Sequence, residues 1–531
     1  MKYTYKNKKW AVAFSVLILL FGCKKTLDIN EDPNNPGIDK ATPEVLFPSG
    51  VLSTAGMVGG QLAVVGGIWS QYFTQSSNSS QFRDIDAYNV TNTTEQVNLP
   101  YEELFAGALA DYQLAIAKAT AIKDYRYLLM NTVMKAYTYQ VLVDLYDQVP
   151  YTEAFQGQAN LQPKFDDGKL IYTSLIAEIN AALANDIYSI PFTDYQQKTD
   201  FVFGGNGKDD VGFKDEMDNW VKFANTLKLK MYLRMVNVDA TAAQAGITTL
   251  YNANAKFLNL TAGVDIFENQ PNRSNPMYEY NIRRLNTTTN IRASVTLSSF
   301  LVANDDARAA TYFGTKSPSA IHQGDYAATL AQHPTYGNAS VLVQDATDPV
   351  HFISAAESYF MQAEALERYF GGARGGMTGK GLYDLGVTAA FEQAGLTAAD
   401  VPTSYAYDAS APFEVMVTTP EKPIAERTRQ VSKLERIIVQ KWASFLTGSH
   451  GLEGFFEHNR TGYPLESTVY SANPDFTMNT DVYEEGRFVY GKNGFTAGKY
   501  PKRFPFPDYE KSRNTNTPAE IPITTKVWWA K

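Results

Sequence analysis

Apolar residues recur at intervals of three and four along much of the chain, the spacing that stacks side chains on one face of an α-helix. After Leu99-Pro100, the series Tyr101, Leu104, Phe105, Ala108, Tyr112, Ala115 and Ile116 predicts one helix. Tyr125, Leu128, Leu129, Thr132, Val133, Ala136, Tyr137, Gln140 and Val141 predict a second, and the short polar link between them an antiparallel hairpin. Ile171, Leu175, Ile176, Ile179 and Leu183 mark a third helix beyond the turn at 163–166. Trp220, Phe223, Ala224, Leu227, Met231 and Met235 mark a fourth, whose Lys222, Lys228, Lys230 and Arg234 are placed to reach solvent. Residues 241–349 lose the period and are expected to hold loops with short helices. The period returns at Phe352, Ala355, Ala356, Tyr359, Phe360, Ala363, Leu366 and Phe370, where Gly371-Gly372 stops it. Ala389, Ala390 and Phe391 suggest a partner helix, and Leu434, Ile437, Ile438, Trp442, Phe445 and Leu446 a further one. Residues 448–531, rich in Gly, Pro, Asn and Tyr, read as irregular.

Helix hairpins bury their apolar stripes best by stacking on one another, as tetratricopeptide pairs do. The expected fold class is therefore mainly α: tetratricopeptide-like helical pairs forming a superhelical scaffold, wrapped by long loops. No tidy 34-residue consensus is visible, so the pairs are degenerate. Four are expected, mainly from 100–240 and 350–447, with 241–349 and 448–531 as the loop-rich parts of one body spanning 41–531.

The first 22 residues follow a different pattern. Lys2, Lys6, Lys8 and Lys9 precede an apolar run from Trp10 to Phe21, too short for the roughly 20 residues of a spanning helix but long enough for the core of an export signal. The run ends in Leu20-Phe21-Gly22-Cys23, which resembles a bacterial lipobox, although Phe21 is bulkier than the usual residue there. Residues 1–22 are thus expected to be a lipoprotein signal peptide, Cys23 the lipidated (palmitate-bearing) residue, and 23–40, with Pro33 and Pro36, an extended flexible tether. Cys23 is the only cysteine in 531 residues, which excludes an intrachain disulfide and a cysteine-based metal site.

The formal charge of -9 becomes about -13 without the four leader lysines, and no basic run follows them. Nucleic acid is not an expected partner, because phosphate binding needs concentrated Lys and Arg. Tyrosine is the commonest aromatic, at 33 residues. Its ring packs while its hydroxyl seeks a partner, which suits a large protein interface, a sugar-binding face or the rim of a core.

Chemical motifs are weak. The segment 371–381 resembles a phosphate loop only until its Arg374, its Gly381 and the preceding helix are considered. His450, Glu453, Glu457 and His458 miss the spacing of a helical zinc motif and read instead as a structural polar network near Arg460. Gly448-Ser449-His450-Gly451 is not a nucleophile elbow. A pair of glycosidase carboxylates could be drawn from 56 acidic residues, but nothing marks one. No catalytic residue, metal or cofactor is assigned. The better clue is aromatic residues beside polar amides, because a flat ring meets the C–H face of a sugar while amides and guanidinium groups address its hydroxyls. Trp69, Tyr72, Gln75, Asn78, Arg83 and Tyr88 are the candidate ligand contacts on that ground, against the alternative that they pack a helix under a loop.

In order along the chain, Cys23, Asn30-Glu31-Asp32-Pro33-Asn34, residues 220–230, 354–365, 435–442, 459–464 and 501–507 resemble the SusD/RagB family of outer-membrane nutrient-binding lipoproteins. Phe506 stands where the family's closing segment carries tyrosine. The resemblance implies a mainly α-helical protein whose four tetratricopeptide-like pairs support a loop-rich ligand face. It also implies partnership with a SusC-like TonB-dependent barrel, which the family covers as a hinged lid, and ligands that are typically oligosaccharides, with peptides for some members. The matching motifs are chiefly structural: Glu357 and Glu364, seven apart on one helix, are placed to pair with basic groups, and Gln440 and Trp442 to make helix contacts. The function expected is non-catalytic capture of a nutrient, an oligosaccharide first, by a lipid-anchored protein facing the cell exterior. A surface glycosidase or peptidase, a peptide-binding module and a purely structural scaffold are the alternatives.

Overall fold

The computed structural model describes residues 40–77, 79–204, 212–325, 334–415, 430–467, 485–490 and 495–531. The leader, Cys23, the tether up to residue 39 and Asn78 lie outside the described residues. The helices of eight residues or more are α1 (Pro43–Val58), α2 (Gln61–Trp69), α3 (Glu95–Glu102), α4 (Ala110–Ile122), α5 (Tyr125–Tyr146), α6 (Gly168–Leu183), α7 (Phe213–Arg234), α8 (Ala240–Asn252), α9 (Val295–Ala303), α10 (Ala355–Tyr369), α11 (Gly379–Gln393), α12 (Lys433–Ser444) and α13 (Gly451–Thr461). Four two-stranded antiparallel ribbons are the sheets among these residues: β1 (Phe73–Gln75) with β5 (Ile291–Ala293), β2 (Gln148–Pro150) with β3 (Phe165–Asp167), β4 (Ala262–Val264) with β6 (Val350–Ile353), and β7 (Ala373–Arg374) with β8 (Met377–Thr378). The chain is mainly α.

Helix ends follow local chemistry. Lys123 turns left-handed and Asp124 accepts from Tyr127 N, so α4 and α5 form a tight hairpin. Ser354 and Ser432 cap α10 and α12 by accepting from the N–H three residues on, at 3.0 and 3.1 Å. Gly371 and Gly372 take φ of +60° and +84° and end the run of α10, as their sequence position predicts. Successive helices pack on their neighbours: α4 on α5, α5 on α6, α7 on α8, α10 on α11 and α12, and α12 on α13.

Three elements depart from the sequence reading. The helix expected from Tyr101 begins at Glu95, carries Pro100 inside it and runs through a π-helical stretch, Glu103–Leu109, into α4. The pair α1 and α2 has no polar face to break its pattern, since every residue of α2 is buried. It is apolar enough by length and composition to cross a membrane, yet it packs inside the body. Residues 448–531 contain α13, whose glycines allow close approach: a Cβ on Gly66 of α2 would stand 2.3 Å from Leu452 N, and one on Gly451 2.8 Å from Gly67 N. Ser70 Oγ donates to Gly451 O at 2.8 Å, Trp442 Nε1 to Ser70 O at 2.9 Å and Tyr72 Oη to Trp442 O at 2.7 Å, closing this clasp.

Lys228, Lys230 and Arg234 do not reach solvent. All three are buried: Lys228 donates to Asn180 Oδ1 of α6 at 3.0 Å, and Lys230 and Arg234 lie between carboxylates supplied by α5, α10 and α13. Arg234 meets Asp144 at 3.1 Å, Glu453 at 2.8 Å and Glu457 at 2.7 Å. Lys230 meets Glu453 at 2.5 Å and Glu357 at 3.1 Å. Arg460 grips Glu364 with two bonds of 2.8 and 2.7 Å and Glu457 at 2.6 Å, while Lys441 reaches Glu457 at 3.3 Å and Arg368 reaches Glu364 at 3.0 Å. His450 Nε2 lies 2.9 Å from Glu357 Oε2, so His450, Glu453 and Glu457 do form a structural network with Arg460. His458 instead stacks on Phe488 at 4.3 Å. Five carboxylates thus face five cations, and near-neutrality is what makes the burial tolerable. Burial alone would raise the Glu357 carboxyl, but Lys230 and His450 hold it at about 2.

Candidate functional site

The residues expected to touch ligand are mostly inside the body. Trp69 is fully buried, donates its Nε1 to Ile85 O at 3.0 Å and packs on Phe455 at 5.0 Å and Phe504 at 5.4 Å. Tyr72 is equally buried in the α2–α13 clasp. Gln75 Nε2 donates to Asn290 Oδ1 at 2.8 Å, and its Oε1 accepts from Phe82 N at 2.6 Å, so its amide is spent on holding the loop. Tyr88 is buried too, although its edge lines a shallow concavity with Phe495 and Pro522. The aromatic-and-amide pattern at 69–88 is therefore packing as placed here. Arg83 differs: it is half-buried beside that packing.

A cleft of about 480 Å³ lies next to this region, between α1, the start of α2, α3 and the excursion at 266–284. Its shape comes from glycine. A Cβ on Gly60 would stand 2.4 Å from Gly56 O and 3.3 Å from Pro276 Cβ, so only glycine lets the excursion come this close to the α1–α2 corner, while a Cβ on Gly56 would meet open space. Asn275 fixes the excursion, accepting from Tyr278 N at 3.0 Å and donating to Asp348 O at 2.9 Å. That cap launches the π-helical turn Glu279–Arg283, which turns Tyr280 toward the cleft. Tyr280 Oη accepts from Gln96 Nε2 at 2.6 Å, and its ring lies 5.6 Å from Phe82.

Apolar walls of Leu52, Met57, Leu99, Ile266 and Phe267 face a few polar groups. Gln61, almost wholly buried, donates its Nε2 to Glu95 Oε1 at 3.1 Å, and its Oε1 has no hydrogen-bond partner. That oxygen lies behind the cleft surface, shut off from solvent. Glu279 is the carboxylate among the lining residues, and it is tied to Arg283 at 3.0 Å. Arg273 is tied to Glu268 at 2.6 Å. One ion-paired carboxylate cannot supply the acid and the base or nucleophile that glycoside cleavage requires. The cleft can hold a ligand by ring contact and directed hydrogen bonds. Sequence reasoning missed it because Gln61, Phe267, Tyr280 and Arg284 come from separate segments with no shared motif.

Residues 38–485 match a SusD-like family described as starch-binding and associating with the outer membrane. Among solved structures, a SusD homolog from Bacteroides uniformis is 21% identical, with a TM-score of 0.67, covering 92% of this chain and 99% of its own. A chitin-binding SusD homolog from Flavobacterium johnsoniae is 20% identical, with a TM-score of 0.66 over 91% of this chain and 98% of its own. A SusD/RagB family protein from Bacteroides thetaiotaomicron is 17% identical, with a TM-score of 0.66 over 92% and 99%. No curated protein matches the chain.

Proposed function

Because this chain belongs to the SusD-like family of starch-binding proteins that associate with the outer membrane, we propose that it captures an oligosaccharide in the cleft beneath Tyr280 and hands it to a TonB-dependent barrel. The role typical of the family is non-catalytic nutrient binding at the surface. The finer reading is supported by the cleft: about 480 Å³, walled by Tyr280 and Phe267, with Arg284 beside them. Aromatic rings supply apolar contact to sugar C–H faces, and polar groups select hydroxyl geometry. The chitin-binding homolog favours a saccharide over a peptide. The packed helical hairpins support tetratricopeptide-like pairs as the scaffold, with Cys23 as the lipid attachment holding the body at the exterior face.

Calorimetric titration of the full-length chain against oligosaccharides and peptides tests this. A saccharide should bind without being cleaved. Tyr280→Ala should weaken it about tenfold or more, and Gly56→Trp, which fills the opening, should abolish binding without unfolding the chain. Release of shortened products, or affinity indifferent to both substitutions, refutes the proposal.

A further inference from the structure

Most guanidinium groups of the described residues are answered by a carboxylate: Arg126 by Asp124, Arg273 by Glu268, Arg283 by Glu279, Arg308 by Asp306 and Arg503 by Asp147. Arg374 and Arg436 donate instead to the neutral oxygens of Asn252 and Ser404, and Arg83, Arg284 and Arg292, likewise without a carboxylate, are linked through the Tyr280 wall of the cleft. Arg284 lines the cleft with Tyr280, four residues before it on the same turn. Phe82, in ring contact with Tyr280, carries the wall on to Arg83. Arg83 Nη2 donates to Ser79 O at 3.2 Å, and Ser79 Oγ donates to Asn290 Oδ1 at 2.6 Å, two residues from Arg292. Arg292 donates only to the carbonyls of Thr289, at 2.9 Å, and Ala339.

Arg83 and Arg292 are incompletely answered, and Arg284 stands exposed to water at the cleft. Arg83 Nε is shut off from water and has no partner. Arg292 is half-buried with neutral carbonyls for company, and that desolvation lowers its pKa. The carboxylates on the same wall are committed elsewhere: Glu95 to Gln61, Glu268 to Arg273, Glu279 to Arg283. A guanidinium without a counter-charge, set beside an apolar cleft on an acidic chain, is a site for an incoming anion, since its planar fork matches a carboxylate.

We infer that the nutrient is an anionic saccharide, a carboxylate-bearing oligosaccharide whose acid groups are met by Arg284, Arg292 and Arg83 while Tyr280 and Phe267 carry its ring faces. This rests on the capture reading above and adds the ligand's charge to it. A neutral glycan would meet the rings but leave the three cations as they are.

Charge-matched probes separate the possibilities. The full-length chain is titrated with tetragalacturonate and with the same tetrasaccharide after reduction of its carboxyl groups, and with a mannuronate pair prepared likewise. The acidic member should bind at least about tenfold more tightly at about 20 mM salt, with the margin shrinking at about 500 mM. Arg284→Gln and Arg292→Gln should each weaken the acidic member far more than the neutral one and so remove most of that margin; Arg284 is exposed, so its variant tests charge without disturbing the core. Neutral members bound as well as acidic ones, or a preference untouched by either substitution, overturn the inference while leaving saccharide capture standing. If neither kind binds, and a panel of further saccharides also fails, the capture reading falls and the inference with it.

Discussion

Arg460 offers the sharpest test of how the buried charges are held. Its guanidinium makes two bonds to Glu364 and two to Glu457, all between 2.6 and 3.1 Å, on residues that solvent barely reaches. Arg460→Met preserves length but leaves two carboxylates in the core with fewer cations than charges. Breaking one side of such a pair costs about 3–5 kcal/mol. A body of roughly 490 residues has an unfolding entropy near 1 kcal/mol per kelvin, so the midpoint should fall by about 3–5 °C in scanning calorimetry. Restoring balance should recover stability: the double substitution Glu364→Gln with Arg460→Met should be less damaging than the sum of the two singles by about 1–3 kcal/mol. The sign of the pH dependence is fixed as well. Arg460, with Lys441 and Arg234, holds the Glu457 carboxyl well below its usual range against the opposing pull of burial. Without Arg460 a stranded carboxylate takes up a proton more readily folded than unfolded, so the deficit of the variant should grow as pH rises from about 5 to about 8. Additive singles, or a deficit that shrinks over that range, would refute the reasoning.

Two further outcomes are expected. Glu216 lies buried in the first turn of α7 beside Asp200, whose carboxylate already accepts from Val202 N at 3.0 Å, Phe203 N at 3.2 Å and Trp220 Nε1 at 2.7 Å. Burial first and the charge of Asp200 second push the Glu216 carboxyl up to about 10. The folded state keeps a proton that the unfolded chain releases above its ordinary pKa, so this residue's contribution falls as pH rises from about 4.5 toward 10. Glu216→Gln should flatten that fall and match or exceed the parent at about pH 8 in urea unfolding; a variant weaker at every pH would contradict it. At the clasp, Gly66→Val drives a side chain into the Leu452 backbone and should abolish soluble expression, whereas Gly56→Val, which meets open space, should express normally.

How much could be read from the sequence depended on whether a helix shows solvent a contrasting face. The helices α6, α10 and α12 carry clear stripes, and the sequence reading places them within a few residues of their observed bounds. The pairing of Glu357 and Glu364 with basic groups was also legible, from their spacing on α10. The helices α1 and α2 were not, because α2 is buried on all sides and α1 keeps apolar residues such as Val45 and Leu52 on its exposed side, which erases the period, and α13 hid behind glycines that ordinarily mark loops but here admit α2. Lys230 and Arg234 look solvent-facing in isolation because their partners, Glu357, Glu453 and Glu457, are over a hundred residues away. The same limit governed the site. Trp69 and Tyr72 have the composition of a sugar platform, yet their indole and phenol are used up by Ile85 O and Trp442 O, while Tyr280 and Arg284 sit in a stretch with no period.

The contact of Ser70 with Gly451 spans 381 positions of chain. The wholly buried helix α2 therefore leaves the ribosome long before α13, the segment that shields it, exists. Closure of so distant a pair is entropically slow, and an uncovered, strongly apolar stretch is prone to self-association in the interval. Biogenesis of this molecule should depend on a holdase that masks residues 61–69 until the second half is delivered. Short of that, the step most exposed to failure is assembly of the chain rather than retention of its ligand.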